Sequence, residues 1–314
     1  MINTNPGPYE AAVLADSVAG DDVRLTTMVC TFPRFILAEY NTHRVFSRNS
    51  ASSRAIPVKK RIQMIEEDPF VPLAFGKNKR GMSSTEDLQG EDAKEAERAW
   101  REACEDAVRH ARKLADLGVH KQFANRILEP FAWHTVITTS TEWDNYWSLR
   151  ISEFAQPEIR KVSEAMKVAY DASTPKRLYL GEWHLPLIFE QDIKEYTIKD
   201  EFGDDVINYE ELAKISCARC ARVSYLTHDG VRSLAKDFEL FDRLASAGHM
   251  SPFEHAAVAG ELKTYWEGGA KDFEVHYKED WFALTDERDF IGNFRAPWVQ
   301  YRKMIPNEEV YVHS

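Results

Sequence analysis

The chain has 314 residues, 44% of them hydrophobic and 29% charged, with a formal net charge of −11. That length buries a real core as one large domain or two ordinary ones, and the composition excludes a mini-protein, a disordered chain and a fibrous repeat. The acidic balance argues against a binder of nucleic acid polymers, which needs Lys and Arg in excess. No apolar run approaches the roughly 18 residues of a membrane helix. Met1 to Pro8 shows neither a basic nor an apolar signal region, so a cytoplasmic protein away from membranes is expected.

Val23 to Phe32 is β-rich and partly alternating, which predicts a strand. Pro33 suits the first turn of a helix, predicted to run to about Phe46. Gly76 to Gly90 lacks periodicity and reads as a mobile loop. Trp100, Ala103, Cys104, Ala107, Ala111 and Leu114 then form one stripe of a long amphipathic helix ending at Gly118. His134 to Thr141 is too β-branched for a good helix and reads as a strand, after which Thr141 or Asp144 is placed to cap a helix through Arg150. Pro157 opens another helix, with Ile159, Val162, Met166 and Ala169 inward. Some β character around Tyr196 to Ile198 precedes a helix from Val231, with Leu234, Phe238, Phe241 and Leu244 on one face and Gly248 just past its end. The order is mixed α/β without regular β-α-β alternation, and no glycine-rich phosphate loop supports a dinucleotide or P-loop fold.

Charge is unevenly spread. Arg34, Arg44, Arg48, Arg54, Lys59, Lys60 and Arg61 face a single acid, Glu39, whereas Glu182 to Glu211 holds ten acids against Lys194 and Lys199. A short basic island in an acidic protein suits a small anionic ligand better than a polymer. The four cysteines make no disulfide framework, and Cys217-x-x-Cys220 has no second pair at zinc spacing, so no metal is expected.

The densest chemistry lies at Thr42-His43-Arg44-Val45-Phe46-Ser47-Arg48-Asn49-Ser50-Ala51-Ser52-Ser53-Arg54, where hydroxyls and guanidinium groups share one turn, as a phosphate requires. No His or Asp flanks Ser52 in a nucleophile elbow, which argues against Ser-His-Asp catalysis. The stretch resembles the signature of the flavin-dependent thymidylate synthases (the ThyX family), Arg-His-Arg followed by seven residues and a serine. Thr42 stands in place of the first arginine, Ser50 where a glutamate is usual and Phe154 where a histidine is usual. Asn125-Arg126, Asn145-Tyr146-Trp147-Ser148-Leu149-Arg150 and Ala155-Gln156-Pro157-Glu158-Ile159 are similar to the family's arginine-bearing segments. Ala221-Arg222-Val223-Ser224 and Pro252-Phe253-Glu254-His255 resemble segments that ordinarily open the family's fold, and here they come last.

The resemblance implies an α/β fold of α+β type, a mixed sheet with long helices in permuted segment order, acting as a single catalytic unit over 1–314. Residues 1–180 would carry the nucleotide and signature portion, 181–212 an acidic connector, and 213–314 the equivalent of the family's usual N-terminal flavin-binding segment. The implied activity is reductive methylation of dUMP to dTMP with FAD, NADPH and methylenetetrahydrofolate, in a homotetramer. Arg150 would be catalytic, stabilising charge on the pyrimidine carbonyl. Glu39, Ser52, Ser53, Arg54 and Arg126 would join it in holding the substrate. His43, Arg44, Asn49, Asn145, Ser224, His255, Asn293 and Arg295 would face the flavin. The segment from Gly292 to Arg302 either supplies the family's Asn-x-Arg flavin contact or is a degenerate copy of the helix after Pro33. Glu39 stands where the family often has glutamine, which leaves dCMP, or hydroxymethylation of dUMP, as alternatives. A non-catalytic nucleotide-binding protein on the same fold is a third.

Overall fold

A computed structural model describes residues 3–81, 84, 86–224, 232–267, 270–284, 286–306 and 308. Its main sheet begins with a hairpin of β1 (Ala11–Ala19) and β2 (Val23–Pro33), returned by Gly20 and Asp22 at positive φ. The chain then passes through α1 (Leu37–Tyr40), β3 (Ser47–Ser50), α2 (Val58–Glu67), α3 (Gly90–Asp116) and α4 (Lys121–Ala124). It returns in β4 (Trp133–Ser140), α5 (Asp144–Arg150), α6 (Pro157–Ala172) and β5 (Lys176–Arg177). The five strands stand in the order β3-β4-β2-β1-β5, antiparallel except for the parallel β1/β5 pair, so the sheet is mixed as expected.

β2 is buried along nearly its whole length because both faces are covered. Met28, Cys30 and Phe32 pack on Ile159, Val162 and Met166 of α6 and on Trp143, Tyr146 and Trp147 around α5. Val29, on the other face, meets Ile137 of β4 together with Leu187, Cys220 and Val223. Those residues come from the remaining elements: β6 (Trp183–His184), α7 (Glu190–Glu195), β7 (Thr197–Lys199), β8 (Asp205–Ile207), α8 (Tyr209–Ser224) and α9 (Leu234–Ser246). β9 (Ala257–Ala259), β10 (Glu261–Glu267), β11 (Ala270–Tyr277), β12 (Asp280–Leu284), β13 (Phe290–Ile291), β14 (Phe294–Arg295) and β15 (Trp298–Gln300) complete the chain. β15, β9 and β6 form a second small sheet against this face, and β10-β11-β12 a third.

The acidic stretch of residues 182–211 is buried at Trp183, His184, Leu187 and Asp192 and exposed over residues 201–206. His184 is buried in β6, and Asp192 is fully buried with Arg219 and Arg232 around it. The helix expected to reach Phe46 stops at Tyr40, because the following turn is closed by Arg48, whose Nη1 donates to the carbonyl of His43 at 2.8 Å, and the chain becomes β3. Neither Thr141 nor Asp144 caps α5; the N-cap position is Trp143, its indole Nε1 donating to the Ser140 carbonyl at 3.1 Å. β13, β14 and β15 are short strands, and a 3-10 helix, Tyr301–Met304, follows directly, so the stretch from Gly292 to Arg302 is strand and turn except at its last two residues. Gly76 and Asp87 form a bridge across the neck of the expected loop, and Met82, Ser83 and Thr85 lie outside the described residues, as does Val231.

Candidate functional site

The turn after α1 and the end of α5 meet at one guanidinium. Arg150 donates from Nε to Nε2 of His43 at 3.0 Å, and from Nη2 to Thr42 Oγ1 at 3.0 Å and the Glu39 carbonyl at 3.2 Å. Thr42 in turn donates to that carbonyl at 2.7 Å, so the residue replacing an arginine bridges Arg150 to the chain. An arginine at Thr42 would bring a like charge to the same point. Nη1 remains, with the Glu39 carboxylate 3.7 Å away, and the side chain is 18% exposed. The ion pair is therefore with Glu39, while Glu158 accepts from the Leu73 amide at 3.1 Å.

His43 is buried, edge-on to Tyr146 at 4.8 Å. Burial, Arg150 and Arg48 push its pKa down to about 4, so the ring is neutral, and because Nε2 accepts from Arg150 its proton sits on Nδ1. Its chain neighbour Arg44 and the α5 residue Asn145 are exposed, and no described residue engages either side chain.

A second cluster lies under the Ser52-Ser53-Arg54 turn. Ser53 is buried and donates to the Glu129 carboxylate, which also pairs with Arg34 Nε at 3.1 Å and Arg126 Nη1 at 2.9 Å. Asn125 Nδ2 holds the turn through the carbonyls of Ser53 at 2.7 Å and Ile56 at 2.8 Å. Arg61 is only 3% exposed; burial and the neighbouring Arg34 lower its pKa to about 10. Arg34 also lies 3.0 Å from Nδ1 of His134, whose pKa burial and both arginines hold far down. Three guanidiniums thus surround one carboxylate, an excess of positive charge beneath half-buried Ser52 and exposed Arg54.

The late motifs do reach this region. Asn49 of β3 donates to the Cys220 carbonyl of α8 at 3.4 Å and accepts from Ser251 at 3.2 Å, and His255 Nδ1 lies 2.9 Å from Thr139 Oγ1. Asn293 Nδ2 and Gln300 Nε2 both donate to Ser47 Oγ, at 3.1 and 2.8 Å. Gly292, at φ 70°, allows that approach, since a Cβ there would strike the Gln300 side chain. Arg295 donates its amide to Thr141 at 3.1 Å and pairs with Glu142 at 3.5 Å. The side chain of Ser224 lies outside the described residues. Among the expected flavin contacts, Arg44 and Asn145 are therefore open, while Asn49, Asn293 and His255 tie segments together inside the fold.

Sequence reasoning missed Thr27, Thr139, His134 and His184, none of which stands in a recognisable motif. Arg34, Arg48 and Arg61 were visible only as charge. Cys30, Cys104, Cys217 and Cys220 are buried free thiols, and burial pushes Cys220 up to about 12, which removes thiolate chemistry from the Cys-x-x-Cys pair. Among the described residues no cluster of three or more His, Cys, Asp or Glu side chains is arranged to hold a metal, and no helix is long and apolar enough to cross a membrane.

Residues 21–176, the stretch from the β1/β2 turn to β5, match the family described as Thy1, thymidylate synthase complementing protein. That segment is a match to the Thy1 (ThyX, flavin-dependent thymidylate synthase) family. Solved structures with similarity include a UMP/dUMP methylase, PolB from Streptomyces cacaoi, bound with 5-Br UMP, at 22% identity and TM-score 0.40, over 47% of this chain and 68% of that one. The same methylase bound with 5-Br dUMP is similar at 20% identity and TM-score 0.38, over 47% of this chain and 66% of that one. No curated protein matches the chain.

Proposed function

We propose that the chain is a flavin-dependent enzyme that methylates dUMP to dTMP, with methylenetetrahydrofolate as carbon donor and NADPH as reductant, in a permuted version of the family fold. The observation that carries this reading is Arg150, locked by His43, Thr42 and the Glu39 carbonyl so that Nη1 is left without a hydrogen bond among the described residues, 3.7 Å from the Glu39 carboxylate. A fixed cation there stabilises negative charge developing on a pyrimidine carbonyl without reorganising. Neutral His43 fixes Arg150 Nε and adds no competing charge. The positive excess around Glu129 supports a phosphate above the Ser52-Ser53-Arg54 turn.

The donor set fits a flavin in part: exposed Arg44 and Asn145 offer a cation and an amide beside the His43/Tyr146 contact, and Nε2 of His255 is buried without a hydrogen-bond partner. When bound, FAD supplies the redox chemistry. Arg44 would hold it by charge and Asn145 by its amide. Support for the permutation comes from the contacts of Asn49 and Thr139 with the late motifs. Support for assembly of a homotetramer comes from the exposed apolar side chains of Val45, Leu149 and Phe154, which lie within four residues of Arg44 or Arg150 in the chain.

The Glu39 carboxylate beside Arg150 favours a second reading, in which it accepts from a cytosine amino group and the substrate is dCMP. The test is the visible spectrum of purified protein before and after FAD and then dUMP, followed by product mass with dUMP and dCMP separately. Flavin bands that shift with dUMP and a dTMP product are expected. Modified dCMP, or a hydroxymethylated product, would replace the substrate or reaction named above, and a colourless protein that binds dUMP but never FAD would make it a nucleotide-binding protein.

A further inference from the structure

Across the face of β2 opposite α6, five buried polar groups from five segments form one unbranched chain. Ser17 Oγ of β1 lies 2.8 Å from His184 Nδ1, whose Nε2 lies 2.8 Å from Thr27 Oγ1 of β2. Thr27 Oγ1 lies 2.7 Å from Thr139 Oγ1 of β4, and that oxygen lies 2.9 Å from His255 Nδ1. All five are at most 5% exposed, and the chain ends on His255 Nε2, a buried nitrogen with no partner. Burial holds both imidazoles neutral, each with its pKa pushed down to about 3.

Each hydroxyl carries one proton and each neutral ring one, so the directions of the four bonds are linked. In one arrangement His255 Nδ1–H donates to Thr139, Thr139 to Thr27, Thr27 to His184 Nε2, and His184 Nδ1–H to Ser17. His255 Nε2 is then a bare acceptor. In the other, every bond is reversed, and His255 Nε2–H is a donor. Passing from the first to the second takes up one proton at His255 Nε2 and releases one from Ser17 to water, with one hop at each bond and no change in the number on the chain.

We propose that this chain is a proton wire through which Thr27 and Thr139, as positioning residues, set whether His255 presents a donor or an acceptor at Nε2. A buried atom that changes role in step with a group three bonds away is suited to a ligand whose own protonation changes during reaction. The placement of such a ligand at His255 rests on the flavin reading above; the coupling of the two histidines does not.

The experiment is long-range proton–nitrogen NMR of the imidazoles in protein labelled with nitrogen-15 at histidine, without added flavin or nucleotide, with His184→Gln and His255→Gln used only for assignment. The expected spectrum shows His184 and His255 protonated on the same nitrogen, both Nδ1 or both Nε2. Thr27→Val, which removes an oxygen that does not touch His255, should shift the His255 ring nitrogens, and Thr27→Ser should leave them in place. Opposite tautomers in the unsubstituted protein, or an imidazolium at either position, would overturn the wire. So would His255 resonances unmoved in a folded Thr27→Val protein. If that variant does not fold, the tautomer pair of the unsubstituted protein decides alone. Failure of flavin to bind would leave this result standing, so the two readings fail separately.

Discussion

The Nε–H of Arg150 points at Nε2 of His43 across 3.0 Å, joining the last residue of α5 to the turn that follows α1, 107 residues earlier. The contact orients a cation with a neutral base, so none of the guanidinium's charge is cancelled at that contact. It also makes His43 dependent on Arg150 for its tautomer.

Arg150→Ala should lower turnover with dUMP by on the order of 10²- to 10³-fold, the usual cost of losing a preorganised charge-stabilising donor. Stability should fall by about 1–3 kcal/mol, because Nε2 of buried His43 loses its donor. Steady-state kinetics beside a thermal melt separate the two effects. A large loss of melting temperature with turnover retained would make Arg150 structural.

Arg54→Ala and Ser53→Ala should behave oppositely. Arg54 is exposed, so its loss should weaken dUMP binding by roughly 10- to 100-fold, equivalent to a charge-assisted hydrogen bond, with the melt unchanged. Ser53 is buried against Glu129, so its loss should cost about 1–3 kcal/mol of stability and affect binding secondarily. Calorimetric titration with dUMP and urea unfolding provide the two readouts.

Acid should destabilise the fold well above the carboxylate range. His43 titrates at about 4 and His184 and His255 at about 3 in the folded chain, against about 6.5 when unfolded. Their folded pKa values are lowered, so between those limits the unfolded chain binds more protons and stability falls as pH drops from about 6.5. Each histidine contributes a slope of about 1.4 kcal/mol per pH unit. Urea unfolding from about pH 7 to about pH 5 should show the slope, and His184→Gln should reduce it by one proton's share.

Asp192→Ala should be among the most damaging single changes. The carboxylate is fully buried and pairs with Arg219 at 2.6 Å and Arg232 at 2.8 Å, while Arg219 also reaches Asp237 at 3.2 Å. Removing it leaves Arg219, 4% exposed, short of an acceptor, at a cost of about 3–5 kcal/mol. A denaturation midpoint within experimental error of the parent would show that water reaches Arg219.

Periodicity was enough to place β2, β4, α3, α6 and α9, because an amphipathic stripe or a β-branched run is a local property of ten or more residues. The signature turn, with His43 and Arg44, was legible for the same reason: its chemistry is contiguous. What ended the helix at Tyr40, however, was a side chain eight residues on, Arg48, bonding back to the turn. The partner of Arg150 proved to be Glu39, and Ser53 proved to be tied to Glu129. Asn49 and His255, expected to face the flavin, also bond to Cys220, Ser251 and Thr139. The chain from Ser17 to His255 spans 238 positions and joins residues of no shared motif. Sequence alone thus determined which segments are apolar and where the charged chemistry is concentrated. Only the tertiary structure decided which buried polar atoms face each other, because a hydrogen bond needs a partner within about 3 Å, and sheet register and packing, not chain separation, set that distance.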